Sequence, residues 1–310
     1  MNVSVSDDSR PFASFAGKSP HRAFSLGRLT AIAANTLTEL TRQKVFYVLI
    51  IFALLLIGSS VFLARFTFQQ EFQILKDVSM GAISIFSSLL AIVATARLIP
   101  QDTEDRTIYT ILAKPVPRFE YLLGKLGGVL VLLAISIAMM TAMFLIVLFV
   151  REQSALHETA RQFANSPSDQ LEVALRQVRA SGLNIDILPG VVVVYLKACV
   201  LASLTLFIST FATTNIFTIV VMAFVYFIGH LEATAREYWL QENAATWTTR
   251  AFLALVALLF PDLQGFNLVD DVVAGATIPM SLFARTLELG ILYTAIYTFL
   301  ATVVFYGKEL

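Results

Sequence analysis

Few residues in this chain have a type and spacing suited to chemistry, and the densest group falls between Arg97 and Arg118. Pro100 is expected to stop an incoming helix. Asp102 or Thr103 can then cap a new helix whose first turn holds Glu104 and Asp105, as the helix dipole favours. Arg106 and Thr107 follow, Ile108, Ile111 and Leu112 supply an apolar edge, Lys114 adds a charged shoulder, and Pro115 and Pro117 end the helix before Arg118. A short capped helix with an apolar edge and charged flanks is a docking element for another protein. Its spacing alone does not identify that protein.

The remaining candidates are sparse. Lys197 interrupts an apolar run; a charge at membrane depth costs about 2.5 to 3.5 kcal/mol, so it must face protein or water, or snorkel to the interface. Glu288 stands three residues after Arg285, one helical turn on, where the two can pair. Met139, Met140 and Met143 carry soft thioethers of the kind Cu(I) accepts, although methionine at helical spacing is ordinary packing. Asp270 and Asp271 lack the histidine, lysine or metal ligand that acid–base work would need and read as a solvated turn. One cysteine, Cys199, and three scattered histidines give no thiolate or histidine metal centre. No metal, cofactor or catalytic residue is therefore assigned. There is no H-E-x-x-H, no G-x-S-x-G and no G-x-x-x-x-G-K-[ST] phosphate loop, so any ATP hydrolysis must belong to a partner. Equal numbers of basic and acidic residues, 22 each, leave no basic stripe for nucleic acid.

The elements that must position these residues are membrane spans. A 310-residue chain that is 57% hydrophobic and 14% charged has a polytopic composition. Val45 to Ala64 is uncharged over roughly 20 residues, enough to rise about 30 Å as a helix. Further spans are expected over 78–98, 126–150, 191–211, 217–231 and 285–306, six in all. In the second, Gly81, Ser84, Ser88, Ala91 and Thr95 form a small-residue face for close helix packing. Ala251 to Phe260 is too short to span and reads, with Pro261 to Leu263, as an outer re-entrant segment over 251–263. The first 25 residues form a polar tail without the apolar region of a signal peptide. An even span count puts both termini on one side, and a modest excess of basic residues makes that side the cytosol. Leu26, Leu29, Ala33, Leu37 and Leu40 recur at helical spacing ahead of Arg42, so 26–44 is an amphipathic helix lying along the inner interface of the bilayer. The polar stretch 151–189 is an outer insertion with two short amphipathic helices, a dock for an outer partner or a lid over the span ends.

The run from Arg97 to Lys125 resembles the permease subunits of type-2 ABC exporters. It carries the acidic cluster, Arg106-Thr107, the Leu112-Ala113-Lys114-Pro115-Val116-Pro117-Arg118 core and the Glu120-Tyr121-Leu122-Leu123-Gly124-Lys125 continuation. The likeness extends to Arg42-Gln43-Lys44, to Phe260-Pro261-Asp262-Leu263 and to the closing span. It is nearest the group linked with multicopper enzyme maturation, including the permease of the nitrous-oxide reductase maturation system. The resemblance implies that the helix at 102–114, within a coupling segment 99–125, sits on a separate cytosolic ABC ATPase subunit, which binds ATP and Mg. It also implies contact of the entry helix with that ATPase, two ATPase copies, and a second permease copy, more naturally identical than different.

The expectation is an all-α polytopic protein of six spans in a bacterial inner membrane. It would act as the permease of an ATP-driven ABC exporter or mechanotransmitter. The alternatives are an ion-coupled secondary transporter, which would use Lys197 and Glu288, and a structural subunit of a membrane complex.

Overall fold

The computed structural model describes residues 25–65, 71–104, 117–164, 167–182, 187–241, 248, 261–267 and 279–307. The elements are α1 (Leu26–Thr41), α2 (Lys44–Arg65), α3 (Glu71–Ala96), α4 (Leu98–Glu104), α5 (Arg118–Gln162), α6 (Ser168–Ser181), α7 (Ile187–Phe211), α8 (Asn215–Gln241), a 3-10 turn (Gln264–Phe266) and α9 (Met280–Gly307). No strand occurs among the described residues. The reason is solvent: a chain this apolar must satisfy its backbone groups internally, and a helix does so within one segment.

Five helical segments are long and apolar enough to cross a membrane: Lys44–Phe62, Glu71–Glu104, Arg118–Gln162, Ile187–Phe211 and Met280–Gly307. Asn215–His230, where a fifth of six spans is expected, is apolar but shorter. The re-entrant stretch 251–260 lies outside the described residues, as do 1–24 and Asp270 and Asp271. α3 and α7 form the buried centre, while α2 and α9 leave most of their apolar surface outward, as lipid-facing helices do. Ser84, Ser88, Ala91 and Thr95 are all buried, as a packing face requires. α9 approaches α7 so closely that a Cβ on Gly290 would lie 2.2 Å from Leu196 Cδ2.

Three local differences from the sequence expectation have simple causes. Pro100 does not stop a helix: the chain turns at Arg97, and Pro100 sits in the first turn of α4, where its missing N–H has no partner to lose. α5 does not end with the membrane. Its 45 residues rise roughly 67 Å, over twice a hydrocarbon core, so the first helix expected in the insertion is a continuation of the span. The second is α6, and Glu152 of α5 packs against its end at Gly182. The methionines do not converge, since Met140 is fully buried while Met139 is 41% exposed.

The entry helix α1 lies against the first turns of α5. Thr36 and Leu40 are buried, Leu29, Ala33 and Leu37 are half-buried, and Leu26 and Arg42 are exposed. Its inward face is thus rotated from an all-leucine stripe toward Ile32 and Thr36. A pair of glycines on α5 sets this: a Cβ on Gly128 would lie 2.7 Å from the Ala33 carbonyl oxygen and from Thr36 Cβ, and one on Gly124 would lie 2.7 Å from Ile32. The obstruction at Gly128 is partly backbone, which no rotamer change relieves. Gly128→Ala is expected to lift α1 and destabilise the protein by about 1 to 3 kcal/mol. The checks are a lower thermal midpoint in detergent and faster tryptic cleavage at Arg28 and Arg42.

Candidate coupling site

Where α1, α4, α5 and α9 meet, the chain concentrates its buried charge. Asp102 of α4 is 7% exposed, Lys125 of α5 is 4% exposed, and the Lys125 ammonium lies 2.7 Å from the Asp102 carboxylate. The Tyr121 hydroxyl donates to the same Asp102 carboxylate. Lys125 also reaches Glu39 of α1 at 3.6 Å and lies over the Tyr121 ring. One turn earlier on α5, Glu120 accepts two hydrogen bonds from Arg28, Nε at 2.7 Å and a terminal nitrogen at 2.8 Å, and a third from the Ser25 backbone N–H. Hydrogen bonding to Glu120 raises the Arg28 guanidinium above its ordinary pKa. Arg118, at the start of α5, donates to the Phe305 and Tyr306 carbonyls and so caps the end of α9. The Tyr121 ring stacks on Phe305.

Helix periodicity produces this knot. Tyr121 and Lys125 are one turn apart on α5 and both face Asp102, while Glu120 points round the helix toward α1. Asp102 is therefore an interior residue of α4 held by two partners, not a solvent-facing cap. Thr103 bonds back to the Ile99 carbonyl at 2.9 Å, and Glu104 is exposed. Asp105, Arg106, Thr107, Ile108, Ile111, Leu112 and Lys114 lie outside the described residues. Both described flanks of that stretch, however, end in the knot: α4 through Asp102 and α5 through Tyr121 and Lys125.

The intramembrane candidates divide. Lys197 does not snorkel: it is 2% exposed and lies 3.0 Å from His230 Nε2. Arg285 and Glu288 are both exposed, and no ion pair joins them among the described residues. At the opposite end of the bundle Arg151 of α5, also buried, pairs with Glu71 of α3. Sequence reasoning missed Tyr121 and Lys125 as partners of Asp102, Glu39 as a second partner of Lys125, Glu120 as the partner of Arg28, and His230 as the partner of Lys197. The available signal was that charges flanking or interrupting apolar helices need partners.

Long apolar helices around a buried centre, with an amphipathic helix clasped to one end, define a multi-pass helical membrane protein. Residues 37–165, from within α1 to just past α5, match the model of the ABC-2 family transporter proteins. No curated protein matches the chain. The matched segment contains Asp102, Glu120, Tyr121 and Lys125.

Removing one member of a buried pair leaves the other charge without compensation. Lys125→Met is expected to cost about 3 to 5 kcal/mol by that mechanism, and adding Asp102→Asn should recover much of the loss. A double-mutant cycle on thermal unfolding measures this. Additive losses would mean that the two side chains do not act as a pair.

Proposed function

We propose that this chain is the permease subunit of an ATP-driven ABC exporter or mechanotransmitter, coupled to a separate cytosolic ATPase. The observation that carries the reading is the Asp102–Tyr121–Lys125–Glu39 knot. It joins the two flanks of the stretch 105–116 to each other and to α1. A force applied to that stretch by an ATPase would reach α3 through α4, reach α5 directly, and reach α9 through Arg118. The match of residues 37–165 to ABC-2 transporters supports the same assignment.

In this mechanism ATP and Mg bind only to the ATPase subunits, two per complex, and their closure moves the 105–116 stretches of two identical permeases. The knot resists shear between α1, α4 and α5, so displacement passes to the spans rather than being absorbed at the membrane surface. Both termini and the knot lie on the cytosolic side of a bacterial inner membrane. The segment 261–267 and the extension of α5 with α6 lie outside, where α6 offers a dock for an outer partner. Asn215–His230 and the stretch 251–260 complete a six-span layout with a re-entrant piece. On the residues between Arg97 and Lys125, we place the chain with the permeases linked to multicopper enzyme maturation.

A second reading is favoured by one observation. Lys197, buried inside the bundle, and the half-buried His230 form an ionisable pair, which an ion-coupled transporter could use. The two readings separate on the coupling stretch. Mild-detergent purification from native membranes is expected to recover a phosphate-loop ATPase with the wild-type chain. Ile111→Asp with Leu112→Asp should reduce that recovery at least tenfold, with the chain still monodisperse. Purification without any ATPase would move the assignment to the ion-coupled transporter.

A further inference from the structure

The Lys197 cluster is a second polar centre, set apart from the coupling knot and on the side of the bundle near the 261–267 turn. Lys197 comes from α7, Ser84 from α3, and His230 and Tyr226 from α8. The ammonium lies 3.0 Å from His230 Nε2, 3.5 Å from Ser84 Oγ and 5.7 Å from the centre of the Tyr226 ring. His230 Nδ1 lies 2.8 Å from the Tyr226 carbonyl, which can only accept, so Nδ1 carries the ring proton and Nε2 is the acceptor for Lys197. The cluster thus holds one positive charge against a neutral imidazole, a hydroxyl and a ring face.

No ion pair among the described residues includes Lys197. Among the described residues, Asp262 is a carboxylate whose field reaches His230, and its Oδ1 accepts the backbone N–H groups of Gln264 and Gly265 at 3.0 and 3.1 Å. The turn carrying Asp262 is fixed over α8 by a hydrogen bond from the Leu263 N–H to the Gly229 carbonyl, next to His230. Lys197 itself is sealed, whereas Tyr226 and His230 are half-buried and border the bundle surface. A membrane protein that needed only a packed interior would place an apolar side chain at 197. This chain instead keeps a cation there and surrounds it with a hydroxyl, an imidazole and a ring face, with no ion-pair partner for it among the described residues.

We propose that Lys197, with His230, Ser84 and Tyr226, binds an anionic group, a carboxylate or a phosphate. Resting on the permease reading, this is where a transported molecule bearing such a group is held. The anion displaces His230 Nε2 from the ammonium and accepts from Lys197 and from the Ser84 hydroxyl. The released imidazole swings toward the bundle surface, which His230 borders.

The test uses the full chain purified in neutral detergent, with octanoate and monooctyl phosphate as probes and octanol as the uncharged control. Binding is read by native mass spectrometry and by the shift in thermal midpoint. At least one anion should bind ten times more tightly than octanol, and the two anions together show whether carboxylate or phosphate is preferred. Lys197→Gln should lose that tenfold preference and Lys197→Arg should keep it. Ser84→Asp places a carboxylate beside the Lys197 ammonium, so it should abolish anion binding while leaving the protein at least as stable as wild type. That variant keeps the test decisive should Lys197→Gln fail to fold. Equal binding of octanol and both anions, or anion binding unchanged in Ser84→Asp, would overturn the proposal. Recovery of the ATPase with Lys197→Gln is scored in parallel. Loss of anion preference with the ATPase retained supports the site within a permease; anion binding without any ATPase would keep the site and sink the permease reading.

Discussion

The ion pair between Asp102 and Lys125 is the constraint on which the rest of this architecture rests. Both groups are almost fully removed from water, so neither can stay charged alone, and each fixes the helix that carries it relative to the other. Tyr121 and Glu39 fill the remaining hydrogen-bonding and charge positions, and Glu39 draws in α1. A buried pair is weak evidence for stability, because an apolar pair of the same volume could serve as well. It is better evidence for a fixed arrangement, since only one mutual position of α4, α5 and α1 satisfies every partner at once.

That arrangement explains why α1 is more than an anchor lying in the interface. Gly124 and Gly128 open a groove on α5, Thr36 and Ile32 enter it, and Arg28 and Glu39 tie the helix at both ends to Glu120 and Lys125. Close backbone approach and charge pairing act together here: the first brings the helices within reach, and the second sets their register. Further along α5, Arg151 pairs with Glu71, so the helix is held to α4 at Lys125, near its start, and to α3 at Arg151. A member clamped at two separated levels is suited to carry displacement between them.

The two polar centres differ in the way that matters for function. In the knot every charge faces an opposite one, Asp102 and Glu39 sharing the Lys125 ammonium. The Lys197 ammonium has polar neighbours but no ion pair among the described residues. On the proposed permease reading, the first centre lies where force would enter the bundle and the second where cargo would be handled.

Much of this was legible in the sequence. The apolar runs dictated helices because lipid offers the backbone no partners, and the small face of α3 from Ser84 to Thr95 announced a close-packed neighbour. The i, i+4 spacing of α1 marked an amphipathic helix ahead of the first span, and the charges around 97–118 marked a polar level at one end of the spans. What the sequence could not decide was pairing. Asp102 reads as a helix cap beside Pro100 because capping is local, yet its partner Lys125 lies on the next helix and meets it only once α4 folds back. Lys197 reads as a snorkelling side chain because its own helix offers no partner, and His230 arrives from α8. Arg285 and Glu288 fit a one-turn pair by spacing but share a face that points away from the bundle. Periodicity acts along one helix and is written in the chain. The company a charge keeps depends on which helices meet, and only the tertiary structure decided that.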